Sequence, residues 1–195
     1  QQYKLGRQAG EILRTIHTIP LEECDYPQET KIQKKMMQLQ KYEKSLWRVE
    51  NDEAVVEYVQ QNIQKIWREK PTYLHGDFHP GNLIYQADGT IGVIDFNRWE
   101  VGDPYEEFYK LESFGVELSV SYCIGQIEGY FQDHVPDFFW ETLSVYVAHS
   151  SLYSIEWAGQ FGKKEIQGMI ERYQASLIHF NYYSQFVPTW YSRRN

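Results

Sequence analysis

Residues 75–82 read His75-Gly76-Asp77-Phe78-His79-Pro80-Gly81-Asn82, and Ile94-Asp95-Phe96 follows after a run of alternating apolar and small residues around Asp88-Gly89. The order is a loop, a hairpin and a second acid. With the loop feeding strand Leu83–Gln86 and the return strand Ile91–Ile94 ending at Asp95, Asp77, Asn82 and Asp95 are expected at one end of a two-stranded ribbon. Three oxygen-bearing side chains suit a hard cation such as Mg²⁺, which takes one or two protein carboxylates and completes its shell with phosphate and water. The pattern points to phosphate chemistry.

Helices must hold so short a ribbon. Leu5, Ala9, Ile12, Ile16 and Ile19 recur at threes and fours, which predicts a first helix with that buried face, stopped by Pro20. A polar connection containing Pro27 follows. From Thr30 a second helix presents Ile32, Met36, Leu39, Tyr42, Leu46 and Val49, with its lysines on a solvated face. Asn51 is the expected N-cap of a third helix whose stripe is Val55, Val59, Ile63 and Ile66. Beyond the ribbon, Asp103 caps a helix that starts at Pro104, and helices are expected over about 105–114, 117–131, 138–158 and 164–183. The fold class is α+β, mainly α-helical, around one ribbon.

Composition narrows the function. The chain has 19 basic and 27 acidic residues, a net charge of −8, and so lacks the basic stripe that nucleic acid demands. No apolar run has the length of a membrane span, and no signal peptide opens the sequence. Cys24 and Cys123 lie far apart with no metal-like spacing, as expected of reduced thiols in a cytoplasmic protein.

Asp77 and Asn82 are five apart and Asp95 follows thirteen residues later, a spacing that fits the catalytic loop and metal-binding Asp of protein kinases. The set H-G-D-F-H-P-G-N, I-D-F and G-D-P resembles the aminoglycoside phosphotransferase and choline kinase family, the small-molecule branch of the protein-kinase-like fold. The resemblance implies that residues 1–195 are a single helical C-terminal lobe, with catalytic loop 75–82 and metal-binding segment 94–96. It also implies Asp77 as the catalytic residue, Asn82 and Asp95 as ligands of Mg²⁺ and the nucleotide, and His75 and Asp103 as loop supports. ATP or GTP would supply the phosphoryl group, and a small molecule bearing a hydroxyl would accept it.

The family's N-terminal lobe, with its sheet, glycine-rich loop and paired lysine, has no counterpart before residue 75. Gln1 stands first, and a helical pattern already runs at residue 3. The chain is therefore expected to be the C-terminal part of a longer polypeptide, with little turnover alone. Acids on the late helices would suit an amine-bearing acceptor such as an aminoglycoside, an aminosugar or a choline-like alcohol, with Glu156 and Trp157 the chosen pair. Two other readings stay open: a catalytically inactive kinase-like binding module, and a zinc hydrolase using His75, Asp77 and His79. Asp77, on a polar loop, is expected to be dispensable for folding.

Overall fold

The computed structural model describes residues 1–21 and 28–192, so the connection around Pro27, like Cys24, lies outside the described residues. In chain order the helices are α1 (Gln2–His17), α2 (Gln28–Glu43), α3 (Glu53–Asn62), α4 (Val120–Phe131), α5 (Asp137–Ala158) and α6 (Lys163–His179). The strands are β1 (Thr72–Leu74), β2 (Leu83–Tyr85), β3 (Ile91–Val93) and β4 (Glu100–Gly102). Contacts group residues 1–26, 67–139 and 190–195 into a first unit, and 27–66 and 140–189 into a second, within what the sequence reading treats as one lobe.

In the first unit α1 does not bury the expected face. Gly6, Ala9, Gly10, Leu13 and His17 are buried, whereas Ile19 lies past the helix end and is half exposed. The cause is α4, which meets α1 backbone to backbone. A Cβ added at Gly6 or Gly10 would stand 2.1 Å from the carbonyl oxygen of Tyr122 or Gln126. The fit is reciprocal, since Cβ atoms at Gly125 and Gly129 would stand 2.2 and 2.3 Å from the carbonyls of Tyr3 and Arg7. Only glycine permits such an approach. Periodicity of apolar residues identifies the bulkiest face, but here the smallest face is the one that packs.

Two ribbons, not one, carry the site. Strands β2 and β3 pair antiparallel as expected, with Leu83 opposite Val93 and Tyr85 opposite Ile91. Their turn differs from a two-residue hairpin. Gly89 alone is left-handed, Gly89 N donates to Gln86 O at 3.0 Å, and Gln86 N donates to Thr90 O at 2.9 Å. That is a three-residue loop with glycine at the left-handed position. The second ribbon joins β1 to β4, with Thr72 opposite Gly102 and Leu74 opposite Glu100.

The helix expected over 105–114 is instead a 3₁₀ stretch, Pro104–Phe108, followed by a π-helical turn, Leu111–Gly115. Its apolar side joins an aromatic cluster of Phe108, Tyr130, Phe131 and Phe139. The ring centroids lie 4.7–5.9 Å apart, mostly edge to face, the favourable arrangement for rings. Cys123 is buried as a free thiol.

In the second unit α2 stops at Glu43, and Leu46, expected on its buried stripe, is 94% exposed. Asn51 takes a left-handed conformation, and Asp52 rather than Asn51 precedes α3. The fully buried Asp52 carboxylate accepts from Tyr42 Oη at 2.6 Å and Arg48 Nη2 at 2.7 Å. These bonds tie the end of α2 to the start of α3. On α5, His149 Nε2 faces the Lys35 carbonyl oxygen at 2.9 Å, so it carries the proton. Among the described residues no helix is long and apolar enough to cross a membrane.

Candidate active site

The loop after β1 is fastened from both sides. Gly76 has φ +79°, and a Cβ there would come within 2.0 Å of the Arg98 carbonyl oxygen, so only glycine lets the chain turn at this point. The fully buried His75 accepts from Asp77 N through Nδ1 at 3.2 Å. The ring proton therefore sits on Nε2, which donates to Ile94 O at 2.9 Å. One imidazole thus links loop 75–82 to segment 94–96. Asp103, also fully buried, accepts from Trp67 N at 2.6 Å and from Tyr105 N at 3.0 Å. It thereby secures the chain just beyond β4, the partner of the strand that leads into the loop.

Asn82 and Asp95 share one end of the β2–β3 ribbon. The ladder continues past Leu83 and Val93 through a bond from Ile94 N to Asn82 O at 3.0 Å. The Asn82 amide nitrogen donates to Asp77 O at 2.9 Å, which leaves Oδ1 as its coordinating atom. Asp95 is left-handed at φ 64° and ψ 57°, a conformation an aspartate tolerates better than most residues. Its Oδ1 accepts from Asn97 Nδ2 at 2.6 Å, and Oδ2 remains.

The Asp77 carboxylate lies between two cations. Oδ1 is 2.6 Å from Lys110 Nζ, and Oδ2 is 3.7 Å from Arg98 Nη1. The two cations differ in setting, with the Lys110 side chain 7% exposed and that of Arg98 57%. Burial alone would raise the Asp77 pKa, but the Lys110 bond and charge, with Arg98 and His79, bring it below the ordinary value. Burial likewise opposes the Lys110 charge, and Tyr109 and Asp77 outweigh it, so this ammonium loses its proton less readily than usual. Burial lowers the His79 pKa. Its Nδ1 accepts from Gly81 N at 3.1 Å, and its Nε2 lies 3.9 Å from Asp77 Oδ1.

Glu107 completes the setting. Its buried carboxylate accepts from Gly76 N at 2.7 Å and from Phe78 N at 3.4 Å, the peptide groups on either side of Asp77. Burial pushes its pKa up to about 7. Glu107, Lys110 and Arg98 are absent from the sequence-based set. The available signal is a lysine and a glutamate three apart among the aromatic and apolar residues of Tyr105–Leu111, where both fall on one face of a helical turn.

The structure thus brings together Asp77, Asn82, Asp95, His75 and Asp103 within the first unit. Glu156 and Trp157 belong to the second unit, where Glu156 Oε1 pairs with Lys41 Nζ at 3.2 Å. The Trp157 ring packs on Phe161 at 4.6 Å. One carboxylate and one amide oxygen at the ribbon end fit Mg²⁺, which leaves much of its shell to phosphate and water. The zinc reading fares worse. Both His75 nitrogens are committed to backbone groups, and among the described residues no three His, Cys, Asp or Glu side chains converge as a metal site.

Residues 1–140 match the model of the phosphotransferase enzyme family. The chain belongs to that family. No curated protein sequence matches it significantly. Among solved structures it is similar to an aminoglycoside 2'-phosphotransferase in complex with GDP, at 14% identity and a TM-score of 0.66, over 90% of this chain and 62% of the other. A choline kinase from Streptococcus pneumoniae aligns at 18% identity and a TM-score of 0.61, over 90% of this chain and 62% of that one. A choline/ethanolamine kinase family protein from Mesorhizobium loti aligns at 14% and 0.67, over 91% and 63%. The fold is that of the C-terminal lobe in these kinase-like structures. This phosphotransferase-family chain spans somewhat over 60% of their length.

Proposed function

We propose that this phosphotransferase-family chain carries the catalytic half of a small-molecule kinase, which transfers the γ-phosphoryl group of ATP or GTP to a hydroxyl. The observation that carries the reading is the tethering of Asp77 by His75, Asn82 and Lys110, with Asn82 and Asp95 at one end of the β2–β3 ribbon. Asp77 orients the acceptor hydroxyl and receives its proton as the oxygen bonds to phosphorus and the bridging bond to the nucleoside diphosphate breaks. Asn82 and Asp95 hold Mg²⁺, which when bound neutralises charge on the phosphates. His75 keeps the loop in register with segment 94–96, and Asp103 supports the loop indirectly by securing the chain just beyond β4. Little covalent work falls to the protein in such a transfer, so position and charge supply the catalysis.

The acceptor class is an amine-bearing alcohol: an aminoglycoside, an aminosugar or a choline-like molecule. An acidic chain, at net −8, and relatives described as aminoglycoside and choline kinases support it. We assign Glu156 and Trp157 to acceptor recognition, and the reaction to the cytoplasm, where nucleoside triphosphates are available. The catalytic unit is a longer polypeptide whose N-terminal lobe grips the nucleotide, a reading supported by the share of its relatives that the chain spans.

A screen of the longer polypeptide with Mg·ATP against aminoglycosides, aminosugars, choline and homoserine tests the reading. Asp77→Asn is expected to lower kcat by about 10³-fold or more for any acceptor that is phosphorylated. Near-normal turnover by that variant would remove the assigned mechanism. Little or no turnover is expected from residues 1–195 alone.

A further inference from the structure

Lys110 has no part in the metal and base set, yet it makes the shortest ion pair to Asp77, at 2.6 Å. A lysine 6% exposed is costly to bury unless its charge is matched, and the match here is the proposed base itself. The rings of Tyr109 and Phe114, with centroids 5.0 and 5.6 Å from Nζ, supply a further favourable surface for the cation. Lys110 and Glu107 are three apart, so a single turn reaches the loop twice. Glu107 holds the peptide groups of Gly76 and Phe78, and Lys110 holds the carboxylate of the residue between them. Backbone and side chain of Asp77 are thus fixed from the same short segment.

We propose that Lys110 is a positioning residue for phosphoryl transfer: by engaging Asp77 Oδ1, it leaves Oδ2 as the oxygen presented to the acceptor hydroxyl. The assignment rests on the reading of Asp77 given above. A lysine with this role acts on the transfer step and leaves substrate affinity largely untouched. Misplacing a reacting group by about 1 Å costs on the order of 10²-fold in rate.

The test uses the longer polypeptide, with Mg·ATP and either an acceptor identified by the screen or water. Lys110→Met is expected to lower kcat by about 10²-fold and to change KM for ATP and acceptor by less than about threefold. Lys110→Arg, which keeps the charge and a hydrogen-bond donor, should recover about tenfold of that loss. In an Asp77→Asn background Lys110→Met should have no further effect, because the two residues act as one unit. A kcat for Lys110→Met close to that of the parent, or fully additive losses in the double variant, would overturn the proposal. If Lys110→Met does not fold, Lys110→Arg and Lys110→Gln carry the same comparison.

A readout independent of activity is the ¹⁵N resonance of a protected lysine ammonium. It should be present in the parent and lost in both Asp77→Asn and Lys110→Gln, and its persistence in Asp77→Asn would also overturn the pairing. Normal turnover by Asp77→Asn itself would instead sink the underlying assignment of the base. The two failures are therefore distinguishable.

Discussion

Alanine is a poor probe of Asp77. On a polar loop the residue looks dispensable for folding, but its carboxylate neutralises an ammonium that is only 6% exposed. Removing it would strand that charge at about 3 kcal/mol, so a loss of activity would be mixed with a loss of structure. Asparagine keeps the size and an acceptor oxygen. Glu107 offers a second test, through pH. Its pKa in the fold, about 7, lies above the ordinary 4.5, so the fold binds this proton more tightly than the unfolded chain. Its contribution is fully present below about pH 4.5 and is lost as pH rises through about 7, a change of a few kcal/mol. Charged neighbours of the carboxyl are Glu106 and Lys110. Glu107→Gln cannot titrate, so urea denaturation should find it more favourable, relative to the parent, at pH 8 than at pH 5. A pH-independent difference would show that Glu107 does not titrate there.

Between elements, the α1–α4 contact makes opposite predictions for one substitution at two places. Gly10→Ala would drive a methyl to 2.1 Å from the Gln126 carbonyl oxygen, so backbone must move, and a loss of about 3 kcal/mol or more is expected. Gly168→Ala, on α6, meets only the flexible end of Arg172 at 3.7 Å and should gain up to about 1 kcal/mol from helix propensity. Chemical denaturation of both variants checks the contrast. The same contact shows why part of the fold was hidden in the sequence. Helix existence was legible because apolar spacing is local, and so were Asp77, Asn82 and Asp95, which lie within one short motif. The face of α1 was not, because close approach selects small residues rather than apolar ones. The β1–β4 ribbon was hidden as well, since three-residue strands separated by the whole loop leave no periodic trace. Lys110 and Glu107 are not legible because a charged residue on a helical stretch ordinarily marks a solvated face, and only tertiary structure shows that this face is buried against the loop.

At the scale of the molecule, acid should unfold the protein from more than one place. His17 in the first unit and His149 in the second are buried and neutral, and burial lowers each pKa from 6.5 to about 3. Unfolded, both take up protons below pH 6.5, so stability should fall as pH drops from 6.5 towards 3. Urea midpoints measured across that range check it, and a flat profile would contradict the buried neutral state. The interleaving of segments also bears on how the protein is made. The glycine face of α1 is translated before the catalytic loop and both ribbons, and its partner, α4, only after them. At about 5–20 residues per second that is a wait on the order of ten seconds. During it a helix with bare backbone on one side has nothing to lie against. The nascent chain is thus a natural client for a chaperone that shields α1, and a mutation that slows α4 would be felt first at α1, far away in sequence.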